Sequence, residues 1–290
     1  MNNNMTALMC CFVRVYHSIN SNIKIYNDPY SVKILTVKEL NDISKNLKEG
    51  INFFNPNYEG TNPVRWIVNN NLAPTVLARS SYNEKSLLNE MILGLKQYVI
   101  LASGYDMSAF KFNDKLKIFE LDKESIIEDK IKRIKRNDLN TNNITYIKTD
   151  FNKKWINDLL NTNYNPKEKT FCSMLGISYY LDKKIFIDTI KTISSVIPKG
   201  SVIIFDYSSD IDTKKKDIIK ALAKASKEEM YANYTYQEIE EIAYNSTMLV
   251  YEHLDYNDIN NTIFYNYNTL NPNNRILAPV GIEYVMLVKR

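Results

Sequence analysis

Glycine is scarce in this chain, with 7 among 290 residues. No Gly-x-Gly-x-x-Gly loop occurs, so a dinucleotide site of that type has no fingerprint here. Any tight turn that needs positive φ must use whatever small residue fits. Histidine is scarcer still: His17 and His253 are the only two, and with three cysteines they form no zinc pattern. Cys10 and Cys11 are adjacent and unsuited to bridging each other, and Cys172 stands alone. Reduced thiols of a cytoplasmic protein are the expectation. No apolar run is long enough to span a membrane. Residues 5–15 are apolar but include Arg14 and lack a basic start and a small-residue cleavage site, so they do not read as a signal peptide.

What remains is ordinary globular material, 44% hydrophobic and 24% charged, rich in Asn, Lys, Ile and Tyr. The net charge of +4 is mild and spread along the chain. The densest basic run, KIKRIKR at 130–136, lies on a predicted helix. It reads as a solvated face with Ile131 and Ile134 turned inward, because no nucleic-acid signature accompanies it.

Residues 1–95 contain no convincing strand and read as a helical cover. Apolar residues at helical spacing fill 6–20, short helices fit 31–47, and helices broken near Pro74 fit 64–93. From residue 96 strands and helices alternate. Strands are predicted at 98–101, 116–121, 144–148, 170–175 and 201–207, with helices between them. This alternation predicts an α/β fold with a mostly parallel, Rossmann-like sheet covered on both faces. Helices are expected at 214–232 and 236–245, and two late strands, 248–254 and 281–289, suggest a terminal hairpin. The Asn-rich stretch 257–274 reads as loop, and a substrate lid is expected around 208–247. One compact unit, 1–95 plus 96–290, is the expected organisation.

The stretch that organises the rest is 97–122, QYVILASGYDMSAFKFNDKLKIFELD. It reads as a strand, a turn at Ala102-Ser103-Gly104, and a second strand ending on Asp122. A turn at the carboxyl end of a parallel strand, followed by a strand-end acid, is where open α/β sheets bind nucleoside cofactors through the ribose. Alone, the stretch does not choose between NAD and S-adenosylmethionine.

Eight stretches occur together: TALMCCFVRVYHS at 6–18, NDPYSVKIL at 27–35, LARSSYNEKSLL at 77–88, QYVILASGYDMSAFKF at 97–112, IFELD at 118–122, YIKTDF at 146–151, MLGISYYLD at 174–182 and PKGSVIIFDY at 198–207. In this order the chain resembles the leucine carboxyl methyltransferase family, which includes protein phosphatase methyltransferases and polyketide carboxylate O-methyltransferases. The resemblance implies a seven-stranded class I methyltransferase fold with a C-terminal antiparallel strand. It also implies S-adenosyl-L-methionine as cofactor, S-adenosylhomocysteine as product, and no metal. By the same resemblance Arg79 matches the arginine that binds the cofactor's methionine carboxylate, a task suited to a planar fork. Ala102 and Gly104 match the turn the cofactor approaches, Asp122 matches the acid on the ribose hydroxyls, and Asp150 with Phe151 matches the pair at the adenine. Tyr180 matches a tyrosine beside the methyl-transfer point, where a hydroxyl orients the acceptor and a ring lies against the sulfonium. Tyr207, Tyr231, Tyr234 and Tyr236 fall where the family builds its lid.

Three positions depart from the pattern. Ala102 replaces a glycine and disfavours positive φ, so that the turn shifts or the cofactor sits higher. Ser108 replaces an arginine. Leu175 replaces a glutamate that contacts the cofactor, a loss of about 1.5–3 kcal/mol for one charged hydrogen bond. The resemblance implies transfer of a methyl group to oxygen, most simply to a small-molecule carboxylate, which is already ionised at neutral pH and needs no general base. A hydroxyl acceptor, a protein C-terminal carboxylate, or a degenerate binding module without catalysis are the alternatives. His253 sits among Tyr251, Asp255 and Tyr256 and is either a substrate contact or a packing residue; His17 reads as packing or surface. No nucleic-acid or membrane partner is expected, and no oligomeric state is implied.

Overall fold

A computed structural model of the chain describes residues 5–209, 230 and 232–290. Seven strands form one sheet: β1 Gln97–Leu101, β2 Lys117–Asp122, β3 Ile144–Lys148, β4 Thr170–Met174, β5 Val202–Ser208, β6 Met248–Leu254 and β7 Ile282–Lys289, in the order β3-β2-β1-β4-β5-β7-β6. The first five are parallel, and β7 runs antiparallel to both β5 and β6. Every residue of β1, β4 and β5 is buried, as a parallel sheet covered on both faces requires. The edge strand β6 instead alternates exposed and partly buried positions along much of its length.

Alternate side chains divide the core in two. Tyr98, Ile100, Ile118, Phe171, Val202 and Ile204 face the N-terminal helices. These are α1 Met5–Asn20, α2 Ser31–Ile34, α3 Val37–Glu49, α4 Ile51–Phe54, α5 Pro63–Ile67 and α6 Ala73–Ile92. Val99, Phe119, Cys172, Ile203 and Phe205 face the other way. There they meet α8 Ile156–Leu160, α9 Lys183–Val196 and α10 Tyr236–Asn245, while α7 Glu124–Arg136 follows β2.

Several elements differ from expectation. No gap separates the helices around Pro74: a π-helical turn, Val68–Leu72, joins α5 to α6, and Pro74 sits in the first turn of α6. Proline's missing N–H and its ring clash with the carbonyl four residues back are relieved where the helix widens. The Asn-rich stretch after β6 is helical, with α11 Tyr256–Ile259, a π-helical turn Asn260–Phe264 and α12 Tyr265–Leu270. Asp255 caps it by accepting from the Asp258 N–H at 2.9 Å, and Ile259, Phe264 and Tyr267 are buried. The basic run is not simply a solvated face. Lys130 and Arg133 are buried, Lys130 against Glu120 at 2.5 Å and Arg133 against Glu39 and Asp129, each at 2.7 Å. The helix predicted at 214–232 lies outside the described residues except for Met230 and Ala232. Among the described residues no helix is long and apolar enough to cross a membrane.

Candidate active site

The strand order reverses direction at β1, which pairs with β2 on one side and β4 on the other. Crevices at the carboxyl ends of strands at such a switch point bind ligands. Here a cleft of about 450 Å³ is lined by Asp122, Lys123, Asp150, Phe151, Asn152, Ile177, Tyr180, Leu181, Asp182 and Ile185. The ends of β2, β3 and β4 therefore contribute to one concavity. Two of its carboxylates stand near a phenyl ring and a wall of Ile and Leu.

Asp122 closes β2 and is tied to the turn after β1. Its two oxygens accept from the N–H groups of Gly104 and Lys123, each at 2.7 Å. Burial pushes this carboxyl up, while those two N–H groups pull it back. Each oxygen keeps a further lone pair, so the acid can still receive two hydroxyls. The turn itself takes positive φ at Ala102 (55°) and Gly104 (50°). Alanine has thus been forced into the left-handed region instead of shifting the turn out of it. Ser108 is buried and donates its N–H to Asp106 Oδ1 at 2.7 Å.

Asp150 follows β3. The Asn152 side chain and N–H, at 2.9 and 3.0 Å, hold its carboxyl below the usual range. Phe151 meets Trp155 edge to face with ring centroids 5.3 Å apart. Beyond β4, Tyr179 and Tyr180 also pack edge to face at 4.9 Å. Leu175 is half-buried against the N-terminal side of the core.

Arg79 reaches this region from α6. Its guanidinium lies over Gly176, whose φ is +74°; a Cβ there would stand 1.9 Å from Nη1. Glycine at 176 is what lets the fork approach the loop, one residue from the cleft wall at Ile177. Arg79 Nη2 donates to Cys10 Sγ at 2.9 Å. Among the described residues no carboxylate oxygen is paired with this guanidinium within 4.0 Å. A half-buried cation with open donors, bonded to a thiol but to no carboxylate, is suited to an anionic ligand.

Tyr207 and His253 do not join the cleft lining. Tyr207 points to the face of the sheet opposite Asp206 and donates to Glu283 at 2.5 Å, while His253 Nε2 meets the same Glu283 oxygen at 2.7 Å. Tyr236 covers His253 at 4.5 Å. Tyr234 is buried in a bridge to Ser209, and Tyr231 lies outside the described residues. His17 is buried; its Nε2 accepts from the Ile25 N–H at 3.0 Å.

Two residues near the cleft were not singled out by sequence reasoning. Asp206 is buried on β5 and accepts from the Gly176 N–H at 2.5 Å. Arg14, on α1, donates to Asp28 at 2.9 Å and to the Tyr105 carbonyl of the turn at 2.7 Å. An isolated Asp inside a β-branched strand, and an Arg inside an apolar helix, are the signals that mark them.

Comparison with known proteins gives concordant results. Residues 7–194 match the family model described as "Leucine carboxyl methyltransferase". Over 307 aligned positions the chain is 34% identical to a Bacillus subtilis (strain 168) protein described as "Putative S-adenosyl-L-methionine-dependent methyltransferase YktD", covering 99% of this chain and 98% of that protein. In shape it is similar to a duf574 family protein from Streptomyces avermitilis, with TM-score 0.60, 12% identity, and 98% and 97% of the two chains covered. It is also similar to the magnesium protoporphyrin IX methyltransferase of Synechocystis PCC 6803, solved with bound S-adenosylhomocysteine, with TM-score 0.50, 9% identity, and 91% and 100% covered. At these identities the two structures speak to the fold, a Rossmann-like methyltransferase sheet.

Proposed function

The chain belongs to the leucine carboxyl methyltransferase family and is an S-adenosylmethionine-dependent methyltransferase; from that premise we propose that it methylates a carboxylate of a small molecule. The observation that carries this reading is the make-up of the cleft. Its lining offers acids, two aromatic rings and apolar side chains, but no histidine among the described residues. With Asp122 and Asp150 read as cofactor ligands, this wall favours an acceptor that needs no general base, and a carboxylate arrives ionised.

The residues present fit the cofactor. Asp122 would accept the two ribose hydroxyls on its remaining lone pairs, and Asp150 with Phe151 would flank the adenine. Arg79 would receive the methionine carboxylate on the donors of its fork that Cys10 leaves open. When bound, S-adenosylmethionine supplies an electrophilic methyl group, which a substrate carboxylate oxygen takes as the carbon–sulfur bond breaks, leaving S-adenosylhomocysteine. Tyr180 would orient the acceptor through its hydroxyl, and Ile177, Leu181 and Ile185 would keep water from the reacting pair.

The test is a transfer assay with methyl-labelled cofactor and a panel of small-molecule acids, phenols and amines. A product from which mild base releases labelled methanol is the expected ester. Label that survives base means an ether or amine and removes the carboxylate assignment. Asp122→Ala should abolish measurable S-adenosylhomocysteine binding in the same preparation; retained binding would move the ribose site elsewhere.

A further inference from the structure

Asp206 is a buried acid beside the Arg79 loop that this reading leaves unused. It is wholly inaccessible, one strand over from the loop against which Arg79 packs. Its Oδ1 accepts from the Gly176 N–H at 2.5 Å, and its Oδ2 lies 3.5 Å from the Tyr179 hydroxyl. Its own backbone carbonyl accepts from Ser178 Oγ at 2.5 Å, so the whole 176–179 loop is tied to it. Burial pushes its carboxyl up, and the Arg79 guanidinium and the Gly176 N–H pull it back. Yet Asp206 forms no ion pair with Arg79 within 4.0 Å, because Gly176 stands between them.

This spacing has a physical consequence. A carboxylate paired directly with Arg79 would occupy the fork and exclude a ligand. A carboxylate held one residue behind it offsets the guanidinium's charge at longer range and occupies none of its donors, of which one is on Cys10 Sγ. The amino-acid end of the site is then close to neutral overall, with its positive part forward and its negative part set back. Leu175, beside Gly176, adds no charge of its own.

We propose that Asp206 is a specificity-determining positioning residue that tunes the Arg79 end of the site to a zwitterion, carboxylate together with ammonium, in preference to a simple carboxylate. The proposal rests on the cofactor reading above and deepens it. A net positive site would hold a bare carboxylate more tightly and repel an ammonium; a balanced one favours the zwitterion.

The experiment measures the affinities of wild type and Asp206→Asn by calorimetry for three ligands. These are S-adenosylhomocysteine, the same molecule without its amino group, and 5′-methylthioadenosine, which lacks the amino-acid end. Asparagine keeps an oxygen for the Gly176 N–H and removes the charge, while the Tyr179 hydroxyl turns from donor to acceptor at the new amide. Wild type should prefer S-adenosylhomocysteine over its deamino analogue, and the variant should lower that preference by about tenfold or more. Binding of 5′-methylthioadenosine should not change, which shows that the nucleoside site is still folded. An unchanged preference overturns the proposal, as does a variant that loses all three ligands equally. If wild type binds none of the three, the cofactor reading itself fails, which is a separate outcome.

Discussion

Ala102 shows how a single side chain can carry strain into the turn after β1. A non-glycine residue at φ 55° costs on the order of 1–2 kcal/mol, part of which the lost freedom of the unfolded chain offsets. Ala102→Gly should therefore raise stability by roughly 0.5–1 kcal/mol in denaturant titration without weakening the cofactor. A loss of stability would mean that the methyl group packs usefully. Gly176→Ala is the opposite case, since a Cβ would stand 1.9 Å from Arg79 Nη1. The guanidinium must move, and S-adenosylhomocysteine should bind at least about tenfold more weakly, with little change for 5′-methylthioadenosine. His17 supplies a pH dependence. Burial first, and then Lys24, lowers its pKa from the usual value to about 4. The unfolded chain therefore binds an extra proton between about pH 6.5 and 4. Stability from this group is complete above that window and lost as pH falls through it, by up to about 3 kcal/mol. His17→Gln should flatten the difference in unfolding midpoint between pH 7 and pH 5; an unchanged slope would assign the pH effect elsewhere. At this scale Asp122 and Asp150 could be picked out because each stands at or just past a strand end, and both line the cleft; Ala102 marks the turn but does not line it. Asp206 could not be, because nothing in VIIFDY says that Gly176 and Arg79 will fold against that aspartate.

Among the elements, α7 is the instructive one. Its run of five basic residues looked like a solvated face with Ile131 and Ile134 turned inward. The partners that bury it come largely from elsewhere: Glu120 on β2 for Lys130 and Glu39 on α3 for Arg133, which also pairs with Asp129 four residues back on α7 itself. Lys130 also donates to the Asp106 carbonyl at 2.5 Å, which fastens the helix to the turn after β1. Both side chains of the Lys130–Glu120 pair are wholly buried. Lys130→Met leaves a carboxyl in the core without its cation and should cost about 3–5 kcal/mol, reduced by whatever protonation of Glu120 recovers. Lys130→Met with Glu120→Leu should regain most of that loss. If the double variant is no more stable than the single one, the pair matters through the Asp106 carbonyl instead of through charge. The same blindness to distant partners explains the helices after β6, where asparagines that read as loop serve the fold. Asn268 exchanges hydrogen bonds with the backbone of Ile276 at 2.9 and 2.8 Å. By contrast, the parallel strands were legible: β1, β4 and β5 are fully buried and carry few charges, and β2 and β3 keep β-branched and aromatic residues between turn signals.

For the molecule as a whole, the question is whether the helical cover merely sits on the sheet or helps to build the site. The packing argues for the second. The N-terminal helices and one sheet face share a single apolar cluster, and polar links cross the seam at the turn itself. Arg14 on α1 binds Asp28 and, through Nη2, the Tyr105 carbonyl; Asp28 in turn is held by Ser31. Tyr105 also donates to Asp129 on α7, under the Arg133 guanidinium. The turn after β1 is thus gripped from the cover and from α7 at once. Arg14→Met should cost about 3–5 kcal/mol, because it strands the buried Asp28 carboxylate. A ligand at a hundred times its dissociation constant adds about 2.7 kcal/mol to the folded state. If the cover helps to shape the turn, a fixed S-adenosylhomocysteine concentration will raise the melting temperature of Arg14→Met by clearly less than that of wild type, since the affinity has fallen as well as the stability. Equal shifts at equal ligand would show that the turn keeps its form without Arg14, and would limit the cover's part in the proposed site to Arg79 on α6.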